Sequence, residues 1–286
     1  MKIAVIGDII LDKYTFGDVD RISPEAPIQI LKVTDVEYKL GGAGNVASNL
    51  DTYEADVTLF GIIGDDNYGK ELVSKLGNVT ANFAVSDARP TILKERMFSR
   101  GQQLLRVDTE QTDEIEIFNK DNIKIFKDFD AIIISDYAKG VVTNKLLELL
   151  TPFKHKIFVD PKPQHADYYK DVLFITPNSK ECMEMSGMDD DIEGAKYLVN
   201  KLNTNILLTR GEKGMRLFQT DGTITNYRVK ALKVKDITGA GDTVIATLVW
   251  YWCTGIPIKN CVDMANKAAG IAVKNLGCYQ VKLDEL

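Results

Sequence analysis

Short apolar runs recur along this chain, and several are apolar at consecutive positions. KIAVIG at 2–7, DVTLFGI at 56–62, DAIIIS at 130–135, KIFVD at 156–160, VLFIT at 172–176 and NILLT at 205–209 read as strands. A strand apolar on both faces needs cover on both sides, which is the condition of a parallel sheet flanked by helices. Amphipathic spacing between the runs predicts helices over 43–53, 67–76, 113–127, 143–151, 178–186 and 190–202. Alternation of this kind predicts an α/β sandwich around a mostly parallel sheet. Two stretches break it. Residues 13–33 contain Pro24 and Pro27, and residues 89–110 read as two strands turning near Gly101. Unstructured loops of that length are uncommon in a compact domain. The two stretches are therefore expected to form one small antiparallel β lid on a single domain spanning 1–286.

Composition narrows the function classes. Apolar residues make up 45% of the 286, enough to bury a core and to exclude a disordered chain. Lys and Arg total 35 against 41 Asp and Glu, a net charge of −6 that disfavours a general nucleic-acid binder. The longest apolar run, 244–252, is far short of a membrane span and reads as a buried helix. The opening MKIAVIG lacks the look of a signal peptide, so a cytoplasmic protein is expected. Cys182, Cys253, Cys261 and Cys278 show no metal-site spacing and are expected to be reduced packing residues. His155 and His165 are expected at the surface, and Trp250 and Trp252 in the packing of the apolar helix.

The strongest local signal is DITGAGD at 236–242, followed by the apolar stretch TVIATLVWYW. Gly239, Ala240 and Gly241 allow a tight turn and close backbone approach to a ligand. The free N–H groups of the helix start then make an anion site. A site that only held phosphate would gain nothing from the carboxylate of Asp242. A site that transferred phosphate to a hydroxyl would, since Asp242 could take the hydroxyl proton. Aspartate is also a common helix cap, so this segment alone leaves both readings open. Two rival motifs fail. Val244 stands where a dinucleotide fingerprint needs a third small residue, and no phosphate-binding GxxxxGK[ST] loop occurs. GGAGN at 41–45 opens another helix, with Asn45 able to serve a polyol through donors and acceptors. Asp12 lies beyond the first strand, where α/β sheets bind ligands, and could accept from two sugar hydroxyls. Asp8 reads as a solvated turn residue.

Taken together these residues resemble the ribokinase-like (PfkB) carbohydrate kinases. DITGAGD looks like that family's C-terminal signature and GGAGN its N-terminal one. Asn178-Ser-Lys-Glu181 resembles its N-x-x-E motif, Thr209-Arg-Gly211 its nucleotide-binding strand end, and the segment from Ala265 through Gly277 its last helix and adenine-side loop. Within the family, RISPEAP at 21–27, DIILDKY at 8–14, QQLLRVD at 102–108, SDYAKG at 135–140 and DPK at 160–162 look like the D-glycero-D-manno-heptose 7-phosphate kinases. Those kinases are often fused to an adenylyltransferase. The sequence stops at Leu286, so a stand-alone kinase or the kinase half of a fusion is expected. Cys278 follows Gly277 where the family usually has a small hydroxyl residue.

The resemblance implies a ribokinase-like three-layer sandwich and an ATP-dependent phosphotransferase. It would act at the anomeric O1 of heptose 7-phosphate and give the 1,7-bisphosphate for ADP-heptose synthesis. Asp242 would be the base, with Gly239, Ala240 and Gly241 as anion hole. Asp12, Gly41, Gly42, Asn45 and Asp136 would hold the sugar, and Lys94, Arg96 or Lys162 its phosphate, with Arg21 and Arg106 as further lid cations. Asn178, Thr209, Gly211, Asn266, Ala269 and Gly277 would hold ATP. Mg²⁺ would sit near Asn178 and Glu181, and a monovalent cation such as K⁺ near Asp236 and Thr238. A homodimer through the lid is implied, with Ile28, Ile30 and Leu31 as apolar lid residues. The alternatives are a family kinase for another sugar, such as fructose 6-phosphate or ribose, and a catalytically silent sugar- or nucleotide-binding protein. The silent protein would require loss of the base, yet Asp242 is present.

Overall fold

The computed structural model describes residues 1–229 and 234–286. The chain starts with β1 (Lys2–Gly7), β2 (Ile9–Ile22), β3 (Gln29–Gly42), α1 (Ala43–Thr52), β4 (Asp56–Gly64) and α2 (Asn67–Ser74). It continues with β5 (Thr80–Ser86), β6 (Ile92–Ser99), β7 (Gln102–Thr109), β8 (Ala131–Ser135), α3 (Asn144–Leu149), β9 (Ile157–Asp160) and β10 (Phe174–Ile175). Then follow α4 (Ser179–Ser186), α5 (Asp191–Leu202), β11 (Asn205–Thr209), β12 (Met215–Phe218), β13 (Ile224–Tyr227), α6 (Ala240–Cys253) and α7 (Ile258–Ala272).

Nine strands form one sheet in the order β13-β12-β11-β10-β9-β8-β1-β4-β5. It is parallel from β5 to β11 and antiparallel over β12 and β13. The doubly apolar strands explain its burial. Ile3 and Val5 of β1 point into one core with α1, α6 and α7, while Ala4 and Ile6 point into the other with α3 and α5. This is the expected three-layer sandwich, with helices on both faces.

The expected lid is a second, four-stranded sheet, β3-β2-β6-β7. It differs from expectation in two ways. Its first two strands reach from residue 9 to 42 rather than 13 to 33, and it is mixed, because β2 and β6 pair in parallel from Ile10 and Ile92 to Gly17 and Ser99. The cause is topological. β2 follows β1 and β6 follows β5, two parallel strands of the main sheet, so both leave its carboxyl edge in the same direction.

The expected helix over 113–127 is also absent. Residues 110–119 are irregular and a 3-10 helix covers Asn122–Asp128. Long-range partners hold this backbone: Arg89 Nη2 donates to the carbonyls of Gln111 (2.9 Å) and Asp113 (2.7 Å), and Ile115 N–H donates to Gly140. The apolar spacing serves instead to pack Phe118 and Phe126 at steep angles against Phe60. β5, β12 and β13 had no predicted counterpart, since they lie toward the sheet's edges and are short or largely polar.

Candidate active site

The parallel strands end at one edge, and the functional side chains gather there. β1 can approach β8 closely because residue 7 is glycine; a Cβ there would lie 2.0 Å from the Ser135 carbonyl oxygen. The chain then passes Asp8 and turns out into β2, and returns along β3 to Gly41 and Gly42. A Cβ on Gly41 would be 2.6 Å from Asp12 Oδ2, so this glycine makes room for that carboxylate.

Asp242 occupies the first turn of α6 and is 2% exposed. Its two oxygens are held separately: Asn45 Nδ2 donates to Oδ2 at 2.8 Å and the Tyr137 hydroxyl to Oδ1 at 2.9 Å. Burial pushes its carboxyl up to about 6, with the charge of Asp12 adding, while the two hydrogen bonds and Lys162 oppose. No side chain caps the helix through a hydrogen bond. Asp242 is therefore not the N-cap of this helix. Gly239 precedes the helix at φ 76°, and a Cβ there would meet Asn45 Nδ2 at 2.6 Å.

A cavity of about 470 Å³ opens beside α6 and contains Ala240 and Gly241 in its wall. Asn178, Thr209, Gly211, Asn266 and Ala269, all expected to hold ATP, line it together. Gly277 does not. Its N–H donates to Asp236 Oδ2 at 2.8 Å, and a Cβ there would meet the Tyr14 hydroxyl, so it ties the last loop to the 236–238 turn. Asp236 Oδ1 accepts from both N–H and Oγ1 of Thr238. These two residues, expected beside a cation, are engaged with each other and with Gly277. Asn178 and Glu181 form a reciprocal cap on α4, and Glu181 Oε1 also pairs with Lys162 Nζ at 2.7 Å.

Several other expectations are corrected. Lys162 stands in the cavity wall with Glu181, on the side of the ATP residues rather than in the second sheet with the sugar-phosphate candidates. Asn45, expected to serve a polyol, is fully buried and its amide donates to Asp242 Oδ2. Asp136 is fully buried too. Tyr169 Oη and His165 Nδ1 bond its Oδ2 and Ala138 N–H its Oδ1, so protein groups engage both oxygens. His165 is accordingly not a surface residue, and the carboxylate beside it raises its pKa. Asp8 is not solvated: it is 0% exposed and accepts from the backbone N–H groups of Tyr137, Lys139 and Val141.

Among the cations of the second sheet, Arg96 is paired with Asp12 at 2.5 Å, Arg106 is exposed and paired with Asp108, and Arg21 is exposed. Lys94 is different. It is half-buried, its pKa is lowered by burial, and its ammonium stands 5.7 Å from the Tyr137 ring centroid.

Two site residues were missed in the sequence. Tyr137 and Asp160 both line the cavity, and burial together with the charge of Asp242 holds both pKa values well up. Each lies inside a quoted motif, SDYAKG or DPK, at the carboxyl end of a strand, and that position was the available signal.

The pfkB family carbohydrate kinase model matches residues 1–285. The chain is 39% identical over 298 residues to the bifunctional protein HldE of Hydrogenovibrio crunogenus, matching all of this chain and 62% of that protein. It is 38% identical to the D-beta-D-heptose 7-phosphate kinase of Bordetella bronchiseptica, matching all of this chain and 95% of that protein. The chain thus spans less than two thirds of the length of its bifunctional relatives. The solved structure of phosphofructokinase-2 from Escherichia coli in complex with substrates and products superposes with a TM-score of 0.80 at 20% identity, covering 99% of this chain and 96% of that one. Ribokinase from Arabidopsis thaliana complexed with ribose and ATP superposes with a TM-score of 0.74 at 18% identity, covering 99% and 95%. A parallel sheet covered on both faces, a glycine turn into α6 and a buried carboxylate in its first turn run through the matched length, and the chain belongs to the pfkB family of carbohydrate kinases, phosphotransferases that act on sugar hydroxyls.

Proposed function

We propose that this protein is an ATP-dependent kinase of D-glycero-D-manno-heptose 7-phosphate that phosphorylates the anomeric hydroxyl. The observation that carries this is Asp242, a buried carboxylate oriented by two side-chain hydrogen bonds at a helix N-terminus beside the large cavity. In the proposed reaction ionised Asp242 takes the proton of the anomeric hydroxyl. The freed oxygen attacks the γ-phosphorus, the bond from that phosphorus to the bridging oxygen breaks, and ADP leaves. The N–H groups at the start of α6 face the charge that develops on the phosphoryl oxygens.

Mg²⁺ fits the donor set. Asp160 and Glu181 bring hard oxygens to the cavity wall, and no cluster of three candidate ligands occurs among the described residues. That arrangement suits an ion held mostly by phosphates and water. When bound it would neutralise phosphate charge. K⁺ beside Asp236 and Thr238 would use carbonyl oxygens and remaining lone pairs; the E. coli phosphofructokinase-2 also solved in complex with potassium supports this part.

The Bordetella heptose kinase, matched over 95% of its length, supports the heptose over fructose 6-phosphate or ribose. Lys94, which is half-buried and makes no ion pair among the described residues, can take the phosphate of a sugar and so favours a phosphorylated sugar over ribose. Asp12 would accept from sugar hydroxyls, backed by Arg96. Four free cysteines and ATP use suit a cytoplasmic enzyme, and no helix among the described residues is long and apolar enough to cross a membrane. We read the second sheet as the lid and as the dimer contact.

One assay tests the proposal. The purified protein is given ATP, Mg²⁺ and a panel of heptose 7-phosphate, unphosphorylated heptose, fructose 6-phosphate and ribose, with ADP release followed. Heptose 7-phosphate should turn over fastest. No turnover of it beside good turnover of another sugar overturns the substrate. Asp242→Asn should cut kcat by roughly 10²–10⁴-fold while ATP still binds. Near-normal kcat in that variant removes the base.

A further inference from the structure

Tyr137 lies where three parts of the site meet. Its hydroxyl donates to Asp242 Oδ1 at 2.9 Å. Two ammonium groups stand over its ring: Lys94 of β6 at 5.7 Å from the centroid and Lys162, just beyond β9, at 5.2 Å. Lys94 belongs to the second sheet, with the candidate sugar residues. Lys162 belongs to the cavity, with Glu181 and Asn178. A cation within about 6 Å of an aromatic face is attracted by the ring quadrupole, more strongly when it is desolvated. Lys94 and Lys162 are both half-buried, so both ammonium groups are partly stripped of water.

The loop that carries Tyr137 is held at several points. Asp8 accepts from the N–H groups of Tyr137, Lys139 and Val141 at 2.9, 3.0 and 3.1 Å. Asp136 accepts from Ala138 N–H at 2.7 Å and is itself held by Tyr169 and His165. The turn needs two left-handed residues, Ala138 at φ 53° and Gly140 at φ 100°. A tyrosine on a mobile loop would need none of this.

We propose that Tyr137 is a positioning residue that joins the two substrate subsites to the base: its ring seats the sugar-side and nucleotide-side ammonium groups, and its hydroxyl holds Asp242 in the orientation for attack. This rests on Asp242 being the base. Neutralising either ammonium with a substrate phosphate changes the field on the tyrosine that grips the carboxylate. Tyrosine is suited to this because it offers a π face and a hydroxyl donor on one rigid frame. Phenylalanine would keep the first and lose the second.

The groups facing Asp242 are Asn45 of α1, Asp12 of β2, Asp160 and Lys162 at the end of β9, Tyr137 after β8 and Cys278 after α7, with Arg96 of β6 behind Asp12. Only the Tyr137 hydroxyl is deleted in Tyr137→Phe. A bond that favours the charged carboxylate is lost, so the proton should be held to higher pH. In the free protein, ¹³C NMR of labelled aspartate carboxyls, with Asp242 assigned from the Asp242→Asn spectrum, should show its titration moving up by about one pH unit. With heptose 7-phosphate and Mg²⁺-ATP, kcat should fall about tenfold or more, while KM for ATP stays within about twofold. Tyr137→Leu removes the ring as well, and should raise KM for heptose 7-phosphate in addition. An unmoved Asp242 titration with wild-type kcat in Tyr137→Phe overturns the positioning role. Because the titration is read without substrate, that failure is distinct from failure of the base, which Asp242→Asn turnover reports.

Discussion

At Asp242, burial and hydrogen bonding pull in opposite directions, and burial wins, leaving the carboxyl at about 6. A base works only when ionised. The raised value means the proton is retained to higher pH than on an ordinary carboxylate, so activity is lost as pH falls through it. The expected kcat/KM profile is flat above about 7 and drops tenfold per unit below about 6. An acid limb near about 4, the ordinary carboxylate range, would contradict this. At this scale DITGAGD was informative, because a left-handed glycine and a carboxylate in a helix's first turn are local facts. The job of Asn45 was not legible, since its partner is Asp242, 197 residues away. Tyr137, 105 residues from Asp242, was hidden for the same reason.

The element that sets the geometry is the loop from Asp136 to Val141 after β8, and its fastener is Asp8 between β1 and β2. One carboxylate there serves three N–H donors in a site closed to bulk solvent. Asp8→Asn keeps the shape but turns an amide N–H toward donors. It should lower unfolding free energy by about 1–3 kcal/mol in urea denaturation, with kcat falling as Tyr137 loosens. Wild-type stability and kcat would mean the loop holds itself. The sequence pattern identified the strands around this loop. The pattern over 113–127 misled because apolar residues that meet Phe60 mimic a helix face, while Arg89 and Gly140 hold the backbone otherwise.

On the scale of the molecule, the smaller sheet and its β2–β3 connection carry bare apolar residues. Ile22, Ile28, Val33, Leu105 and Val107 are 58%, 60%, 53%, 53% and 42% exposed, while Ile30 and Leu31 are half-buried. Apolar exposure grouped on one sheet marks an association surface more often than scattered exposure does. Sedimentation at micromolar concentration should show a dimer, and Ile28→Asp with Leu105→Asp should yield a folded monomer. A monomeric wild-type protein would remove the dimer from the proposal.

The sequence by itself determined the parallel, doubly covered sheet, the glycine turns, and the family those motifs resemble. Each depends on local propensity or on burial pattern, which neighbouring residues encode. Only the tertiary structure decided what each charged group faces. It placed Lys162 beside Glu181 in the cavity, turned Asp136 toward His165 and Tyr169, buried Asp8 under a loop, and set Asn45 and Tyr137 on Asp242. The physical reason is that polar side chains at a sheet's carboxyl edge find partners through space. Those pairings follow from strand order and helix packing, which bring together residues far apart in the chain.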